Sequence, residues 1–349
     1  MGGSIFMSQK EITKAGPLFD DNGDLILKGY AKHNFFDYNK EKLQTGALKL
    51  KEWDYYYIGS GSFGLALTIA DNGYMALLSV SFLDFIHKSE ITKSEMKWFT
   101  AGKTNLPRTT KSGDVSLQTK SAYLIFKNSG KGRLLKGYYE NFRGKDKLEF
   151  EIKLGEEPDE SITMLTPFNK PKHFYYNQKI NCIPAVGSFR IGGDIYRFEE
   201  GLSSGTLDWG RGVWTYKNTW YWGSLSTRAH GVPFGFNIGY GFGDTSAASE
   251  NVIFYDGKAH KFNNIDFGIP QKDGTDDFLG VWHFKSDDGR LDMTFTPLFD
   301  RASDTNAVII RSNQHQVFGS YSGTAILDDG RRIEFKNKIG FAEKVYNKW

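Results

Sequence analysis

A chain of 349 residues is long enough for two hydrophobic cores, because domains usually hold roughly 100 to 200 residues. Its 44 basic and 41 acidic residues leave a formal charge of +3 without a long run of one sign, which argues against nucleic acid as a partner. No stretch reaches the ~20 apolar residues that cross a bilayer, and the single Cys182 cannot form an internal disulfide, so we expect a cytoplasmic protein without a transmembrane segment.

Two compositional biases indicate β-structure. Phe, Tyr and Trp make up 15% of the chain, and 39 glycines supply turns for many short strands. Dipeptides that adopt the positive φ angles of tight β-turns recur between apolar runs. These dipeptides are Asn22-Gly23, Asn72-Gly73, Asp256-Gly257, Asp288-Gly289 and Asp329-Gly330. They predict hairpins between strands that are neighbours in the sequence.

Three segments alternate apolar and polar residues with the period of a half-buried strand. The first, residues 148–154, places Leu148, Phe150, Ile152 and Leu154 on one face and Glu149, Glu151 and Lys153 on the other. Residues 291–296 and 332–336 repeat the pattern. Helical periodicity is weak and is confined to residues 88–99, so we expect few helices, at the periphery of the fold.

Meandering antiparallel strands need either a sandwich or closure into a barrel to protect their edges, and we favour closure. A faint internal repeat supports two barrels, since residues 161–168, 176–178 and 195–200 resemble residues 291–299, 312–314 and 333–337. The sequence therefore predicts an all-β protein made of two tandem lipocalin-like antiparallel barrels. We place the first, with an N-terminal extension, at residues 1–201 and the second at residues 202–349.

Residues 206–255 contain four of the eight tryptophans. If residues 234–243 are extended, Phe234, Phe236, Ile238, Tyr240 and Phe242 share one face, while four glycines and Asn237 share the other. Glycine at alternate positions marks a bend or the close approach of a ligand or another chain segment. Two interpretations stay open: a coiled barrel strand whose glycines make room for Trp220 or Trp222, and a strand that faces a ligand.

Strand alternation in residues 207–214 places Asp208 and Trp214 on one face and Trp209 and Arg211 on the opposite face. Desolvation against aromatic surface raises the pKa of a carboxyl group, as a proton donor at neutral pH requires. Asp208 and Asp244 are therefore the candidate catalytic acids. The alternative, which carries more weight, is that Asp208 or Asp244 pairs with Arg211 or caps a turn.

The candidate ligand-binding residues come from the same block. They are Trp209, Arg211, Trp214, Trp220, Trp222, His230, Asn237, Tyr240 and Asn251. None of the seven histidines has zinc-ligand spacing, and His230 and His283 are more typical of surface histidines than of catalysts. The segment GYGFGD lacks the helix of a dinucleotide-binding turn, and the chain has no GxSxG elbow. We therefore expect no metal and no cofactor.

The block resembles an uncharacterised family, domain of unknown function 2804, through LDWGRGVWTYKNTWYWGS, FGFNIGYGFGD and SENVIFYDGKAHK. The resemblance extends to the N-terminal half through ITKAGPLFDDNGDLI, GYAKHNFFDYNKEKL and KEWDYYYI, and so covers most of the chain. That family is remotely similar to two-barrel calycin-like proteins, which include carotenoid hydratases and decalin-forming cyclases. The resemblance implies the tandem-barrel fold. By loose analogy it also implies an acid that protonates a polyene and aromatic side chains that shape it. The acid would be Asp208 or Asp244, and the aromatic side chains would be Trp214, Trp220, Trp222 and Tyr240.

Three functions follow as hypotheses. The first is binding of an apolar small molecule, such as a lipid, a fatty acid or an isoprenoid-like compound, in a barrel cavity. The second is a cofactor-independent hydratase, isomerase or cyclase, in which a buried Asp protonates an alkene and Trp faces stabilise the cation. The third is carbohydrate chemistry, which needs Asp244 and Glu250 to face each other across a cleft about 5 to 10 Å wide. The oligomeric state is left open.

Overall fold

The computed structural model describes residues 9–307 and 310–348. Over these residues the regular structure is β-structure, apart from two single-turn 3₁₀ helices at Lys40–Lys42 and Ala47–Lys49. None of the described helices is long and apolar enough to cross a bilayer. The predicted all-β fold class is confirmed.

The first large sheet has 13 strands and follows a parallel pair in the N-terminal segment. The pair is β1 (Gly16–Pro17) with β3 (Phe36–Asp37), and between them lies β2 (Gly29–Ala31), which belongs to the large sheet. The other strands of this sheet are β4 (Leu50–Gly59), β5 (Phe63–Asp71), β6 (Met75–Asp84), β7 (Ser89–Trp98), β8 (Val115–Gln118), β9 (Ala122–Asn128), β10 (Arg133–Arg143), β11 (Asp146–Leu154), β12 (Ile162–Pro167), β13 (Phe174–Ile191), β14 (Asp194–Phe198) and β15 (Ser204–Val213).

The second large sheet has nine strands and is built from the C-terminal part of the chain. Its strands are β16 (Lys217–Ala229), β17 (Val232–Tyr240), β18 (Val252–Tyr255), β19 (Lys258–Lys261), β20 (Ile265–Asp266), β23 (Trp282–Ser286), β24 (Leu291–Ala307), β25 (Ile310–Ile326) and β26 (Arg332–Lys348). A separate small hairpin joins β21 (Gln271–Lys272) to β22 (Thr275–Asp276).

Each large sheet is antiparallel and curls around a core of its own, which confirms the predicted pair of calycin-like barrels. The first sheet runs in the order β7-β6-β5-β4-β15-β13-β11-β10-β9-β8, and the second in the order β19-β18-β17-β16-β26-β25-β24-β23-β20. The chain passes from the first sheet to the second between Val213 and Lys217. The domain boundary at residues 201 and 202 stays a prediction.

The local sequence signals agree with the strands in most places. Each glycine of the predicted turn dipeptides has a positive φ angle. Residues 148–154, 291–296 and 332–336 lie in β11, β24 and β26 with their apolar side chains buried. The weak helical prediction for residues 88–99 is wrong, because Ser89–Trp98 pairs along its whole length with β6. Polar side chains occur on both faces of this edge strand, so its sequence lacks strand alternation.

The two sheets pack face to face through a shared aromatic layer. The layer combines Tyr57 of β4 with Phe318 of β25 and Phe341 of β26, whose rings lie 5.6 Å from that of Tyr57. A bulge in β13 adds polar contacts, since Asn181 Nδ2 donates to Ser224 Oγ at 2.8 Å. Burial of ring surface on both sides makes the sheets one packed unit.

Two glycines of β15 allow large rings to lie flat on the outer face of the first sheet. A Cβ atom at Gly210 would lie 2.0 Å from Cζ2 of Trp53, its register partner on β4. A Cβ atom at Gly212 would lie 2.9 Å from Nε1 of Trp214. These close approaches explain why this face of β15 carries glycine at positions 210 and 212, whereas the opposite face carries larger residues.

We expect Gly210→Ala to lower the free energy of unfolding by about 1 to 3 kcal/mol, because the added methyl group displaces the Trp53 indole. Urea unfolding followed by far-UV circular dichroism measures the change. Gly61→Ala is the matched control, since a Cβ atom at Gly61 meets nothing within 4 Å. Equal stability of the two variants would contradict the close packing of Trp53 on Gly210.

Candidate functional site

A cavity of about 600 Å³ lies between the two sheets, next to the shared aromatic layer. Its walls come from β4, β5, β6, β7, β13 and β15 of the first sheet and from β16, β24, β25 and β26 of the second. The sequence analysis placed the ligand cavity inside one barrel, whereas the structure has the cavity between the two barrels. The barrel interiors hold the buried clusters around Trp209 and Trp282, so their own side chains fill them.

A row of polar side chains crosses the first sheet and faces the cavity. Hydrogen-bonded register places its members side by side on six adjacent strands, and all of them line the cavity. The row runs through Lys179, Asp208, Tyr55, Thr68, Ser79 and Ser94. The floor of the cavity therefore offers hydrogen-bonding groups along its width.

A second row crosses the opposite sheet and holds a buried carboxyl group. Trp222, Glu343, Gln316 and Arg301 are register neighbours on β16, β26, β25 and β24. Glu343 accepts hydrogen bonds from Trp220 Nε1 and Gln316 Nε2, both at 2.9 Å. Burial raises the pKa of Glu343 to about 7, although the Trp220 hydrogen bond and the charges of Arg301 and Lys179 lower it. Glu343 can therefore give or take a proton near neutral pH.

Asp208 forms a buried ion pair that connects the two rows. Lys179 Nζ lies 2.7 Å from Asp208 Oδ1 and 4.2 Å from the centre of the Trp222 ring. The same ammonium group donates to Tyr175 Oη at 3.4 Å. The carboxyl group of Asp208 therefore has a buried cationic partner in the cavity wall.

One end of the cavity is enclosed by aromatic rings. Trp53 stacks on Tyr175 with ring centres 5.7 Å apart, and its other edge meets Trp214 at 5.4 Å. Phe242 contacts Trp214 at 4.9 Å and Trp220 at 5.2 Å. Such rings supply a large apolar surface for a planar or branched ligand.

Asn237 fixes two side chains of the cavity wall. It accepts a hydrogen bond from Trp222 Nε1 at 2.7 Å and donates to Glu250 Oε2 at 3.0 Å. The glycines beside it allow these approaches, since a Cβ atom at Gly239 would lie 2.6 Å from Glu250 Oε1. A Cβ atom at Gly235 would lie 2.8 Å from Cys182 Sγ of the first sheet. The bare face of this strand is therefore a site of close approach by protein groups.

The structure brings four of the sequence-predicted site residues to the cavity: Asp208, Trp214, Trp220 and Trp222. Trp209 and Arg211 lie on the opposite face of β15, as strand alternation predicts. The Arg211 guanidinium is fully buried, 3.0 Å from Asp54 Oδ1, and stacks 4.1 Å from the Trp209 ring centre. Both residues stabilise the first barrel and do not line the cavity.

The other predicted residues lie elsewhere. His230 is exposed in the turn after β16, and Tyr240 stacks on Tyr221 beside the core of the second barrel. Asn251 donates to the Asn263 carbonyl oxygen at 2.7 Å. Asp244 is exposed, and hydrogen bonding from Ser246 lowers its pKa, so it lacks the raised pKa expected of a catalytic acid. Of the carboxyl pair considered for carbohydrate chemistry, Glu250 lines the cavity and Asp244 does not.

Sequence reasoning missed several cavity residues, above all Lys179, Trp53, Tyr55, Arg301 and Glu343. Glu343 carries a recognisable signal, because strand alternation puts it on the same face as Phe341 and Val345, both of which are buried. Lys179 carries no such signal, because its same-face neighbours Asn177 and Asn181 are polar in the sequence although the structure buries both. A charge at a position otherwise given to buried residues indicates a partnered or functional group.

Solved structures with the same fold include an enzyme. Kievitone hydratase from Nectria haematococca is similar with a TM-score of 0.50 and 12% identity, over 85% of this chain and 88% of that one. A Nitrosomonas europaea protein assigned as an AttH has a TM-score of 0.52 and 12% identity, over 85% of this chain and 92% of that one. CghA with Sch210972 has a TM-score of 0.42 and 8% identity, over 86% of this chain and 88% of that one.

At these identities the likeness to kievitone hydratase and to the AttH structure concerns the fold. No curated protein matches the chain. The family described as a domain of unknown function, DUF2804, matches residues 9–349, as the aromatic and glycine block predicted. The chain belongs to this DUF2804 family.

Proposed function

We propose that the protein binds an uncharged, largely apolar small molecule between its two sheets. The observation that carries this proposal is the cavity of about 600 Å³ with aromatic walls. Ligand sites usually measure roughly 300 to 1,000 Å³ and combine apolar walls with a few polar groups. A ligand with a ring system would lie against Trp53, Trp214 and Trp220, while a hydroxyl or carbonyl group would meet the polar rows. A cytoplasmic location belongs to the same proposal.

The charges around the cavity favour a neutral ligand over a fatty acid. Lys179 is already paired with Asp208, and Arg301 donates to Ser81 Oγ at 2.8 Å and to Gln316 Oε1 at 2.6 Å. A carboxylate ligand would instead face Asp208 and Glu250, which also line the cavity. Like charges in a buried site oppose binding. Among the predicted ligands, isoprenoid-like and other uncharged molecules therefore fit best.

We expect Thr68→Trp to weaken the binding of the uncharged fluorescent probe N-phenyl-1-naphthylamine by at least about tenfold, because the indole would fill the cavity. A fluorescence titration measures the affinity. Thr324→Trp is the matched control, since Thr324 lies on β25 outside the cavity wall. Wild-type protein should bind the anionic probe cis-parinaric acid more weakly than the neutral one. Equal probe affinities of both tryptophan variants would refute the proposed binding site.

A second candidate function is a hydratase, isomerase or cyclase that acts on an alkene-containing lipophilic substrate. The observation that favours it is Glu343, a buried carboxyl group in the cavity wall whose pKa is raised by burial to about 7. The structural neighbour kievitone hydratase shares the fold and is named as a hydratase. In this proposal the protonated Glu343 gives its proton to the alkene, and the face of Trp220 stabilises the carbocation. Addition of water or of a nucleophile within the substrate, or loss of a proton, then consumes the cation, and a proton returns to the Glu343 carboxylate. Asp208 with Lys179 orients the substrate.

If the protein is such an enzyme, Glu343→Gln should lower turnover of the bound compound by about 10²-fold or more, because general acid catalysis contributes that much. Mass spectrometry of a ligand extracted from the purified protein identifies the compound, and chromatography follows its conversion. Asp208→Asn should weaken binding and turnover together. Asp244→Asn is the control, because Asp244 lies outside the cavity. Full activity of Glu343→Gln would assign the acid to another group.

The raised pKa of Glu343 also predicts a pH dependence of stability. The folded-state pKa is about 7 and the reference value is 4.5, so the folded protein binds more protons between these values. The contribution of protonated Glu343 to the free energy of unfolding is fully present below about pH 4.5. This contribution, on the order of 3 kcal/mol, is lost as the pH rises through about 7.

Urea unfolding on both sides of neutral pH tests this expectation. Glu343→Gln should flatten the decline in unfolding free energy between acidic and alkaline buffer, since the glutamine does not ionise. Glu334→Gln is the control, because Glu334 is exposed on the same strand, β26. An unchanged decline in Glu343→Gln would show that other groups cause the pH dependence.

A further inference from the structure

Large apolar side chains project into solvent at the mouth of the cavity. Met96 is 51% exposed, Trp98 57% and Phe99 84%, and Leu48 nearby is 57% exposed. Met96, Trp98 and Tyr74 also line the cavity. We call Leu48, Tyr74, Met96, Trp98 and Phe99 the rim. Exposed aromatic groups of this size are unusual on a protein surface unless they contact a partner.

The rim residues lie on neighbouring segments at one end of the first sheet, because backbone hydrogen bonds of the β5–β6 turn hold these segments together. The Phe99 amide donates to the Tyr74 carbonyl oxygen at 2.7 Å, and the Ala101 amide donates to that of Gly73 at 2.7 Å. Leu48 packs on the same turn, since a Cβ atom at Gly73 would lie 2.7 Å from its Cα atom. Trp98 is the register partner of Met75, whose side chain reaches the cavity.

Basic groups accompany the rim, whereas the nearest carboxylates are engaged. Lys49, Lys97 and Lys103 are exposed in the segments that form it. Asp71 is buried and accepts hydrogen bonds from Thr100 Oγ1 at 2.9 Å and Thr104 Oγ1 at 2.7 Å. Burial raises the pKa of Glu95, but hydrogen bonds from Thr119 and Ser121 together outweigh burial and lower it. The free charge beside the apolar side chains is therefore positive.

We propose that the rim docks on an anionic lipid bilayer and opens the cavity toward it. Tryptophan and phenylalanine favour the boundary between headgroups and acyl chains, and lysines add attraction to anionic headgroups. An apolar ligand that is stored in the bilayer would enter at Trp98 and Met96 and reach the aromatic end of the cavity. The exchange of ligand rests on the proposed function, whereas docking of the rim does not.

Cosedimentation with vesicles of phosphatidylcholine, with or without phosphatidylglycerol, tests docking. Wild-type protein should bind the anionic vesicles more tightly than the neutral ones. The double variant Trp98→Ser with Phe99→Ser should bind the anionic vesicles at least about tenfold more weakly than wild-type protein, because it lacks the exposed rings. Ile195→Ser with Leu202→Ser is the matched control, because these side chains are 60% and 73% exposed elsewhere.

A charge-reversal pair separates the electrostatic part. Lys97→Glu with Lys103→Glu should abolish the preference for anionic vesicles, whereas Lys153→Glu, at an exposed position on β11, should not. Thr68→Trp should still bind vesicles while it loses the naphthylamine probe, so docking and ligand binding fail separately. Equal vesicle binding by the rim variant and its control would overturn the proposal. The proposal would also be overturned if wild-type protein did not bind vesicles and formed a dimer in solution that the rim variant disrupts. A second copy of the chain would then cover the rim.

Discussion

The packing of two sheets across one aromatic layer is the constraint on which the site depends. Tyr57, Phe318 and Phe341 hold the sheets in contact, and Tyr55 meets Trp222 across the gap with ring centres 6.0 Å apart. Tyr55 and Trp222 also belong to the cavity wall, so they mark where contact ends. Beyond them the facing rows carry the charged residues Asp208, Lys179, Glu343 and Arg301. Direct packing of these groups without water or a ligand would require desolvation, and the desolvation free energy exceeds the gain from apolar contact. The cavity is therefore a consequence of which register rows are aromatic and which are polar.

This arrangement buries both faces of β15. Its inner face carries Trp209 and Arg211 in the first barrel, and its outer face carries Asp208 and Gly210 toward the cavity. Buried charges on both faces need partners, and they have them: Arg211 with Asp54, and Asp208 with Lys179. Removal of one partner leaves the other as an uncompensated charge, so each pair fixes the register of its strands as well as the shape of the wall.

The sequence was sufficient for the fold class, for the turns and for the two faces of residues 207–214, because these properties depend on local alternation and turn chemistry. It was insufficient for the site, because the site depends on pairings between distant segments. Trp222 and Glu343 are register neighbours, and so are Gly210 and Trp53. No local pattern reports such pairings. The strand at Ser89–Trp98 was missed for a related reason, since its inner face lines a cavity and therefore stays polar.

The two carboxyl groups of the facing rows differ in what their surroundings permit. The carboxyl group of Asp208 has the ammonium group of Lys179 as its partner at 2.7 Å. The hydrogen bonds to Glu343 come from the neutral donors Trp220 and Gln316, and burial raises its pKa to about 7. A carboxyl group in this state destabilises the folded chain above neutral pH, and a hydrophobic side chain of similar size would not. A simple apolar container gains nothing from such a residue, whereas a protonated carboxyl group can donate a hydrogen bond to a hydroxyl or carbonyl oxygen or transfer its proton to an alkene. Glu343 is therefore the residue at which binding and catalysis can be told apart.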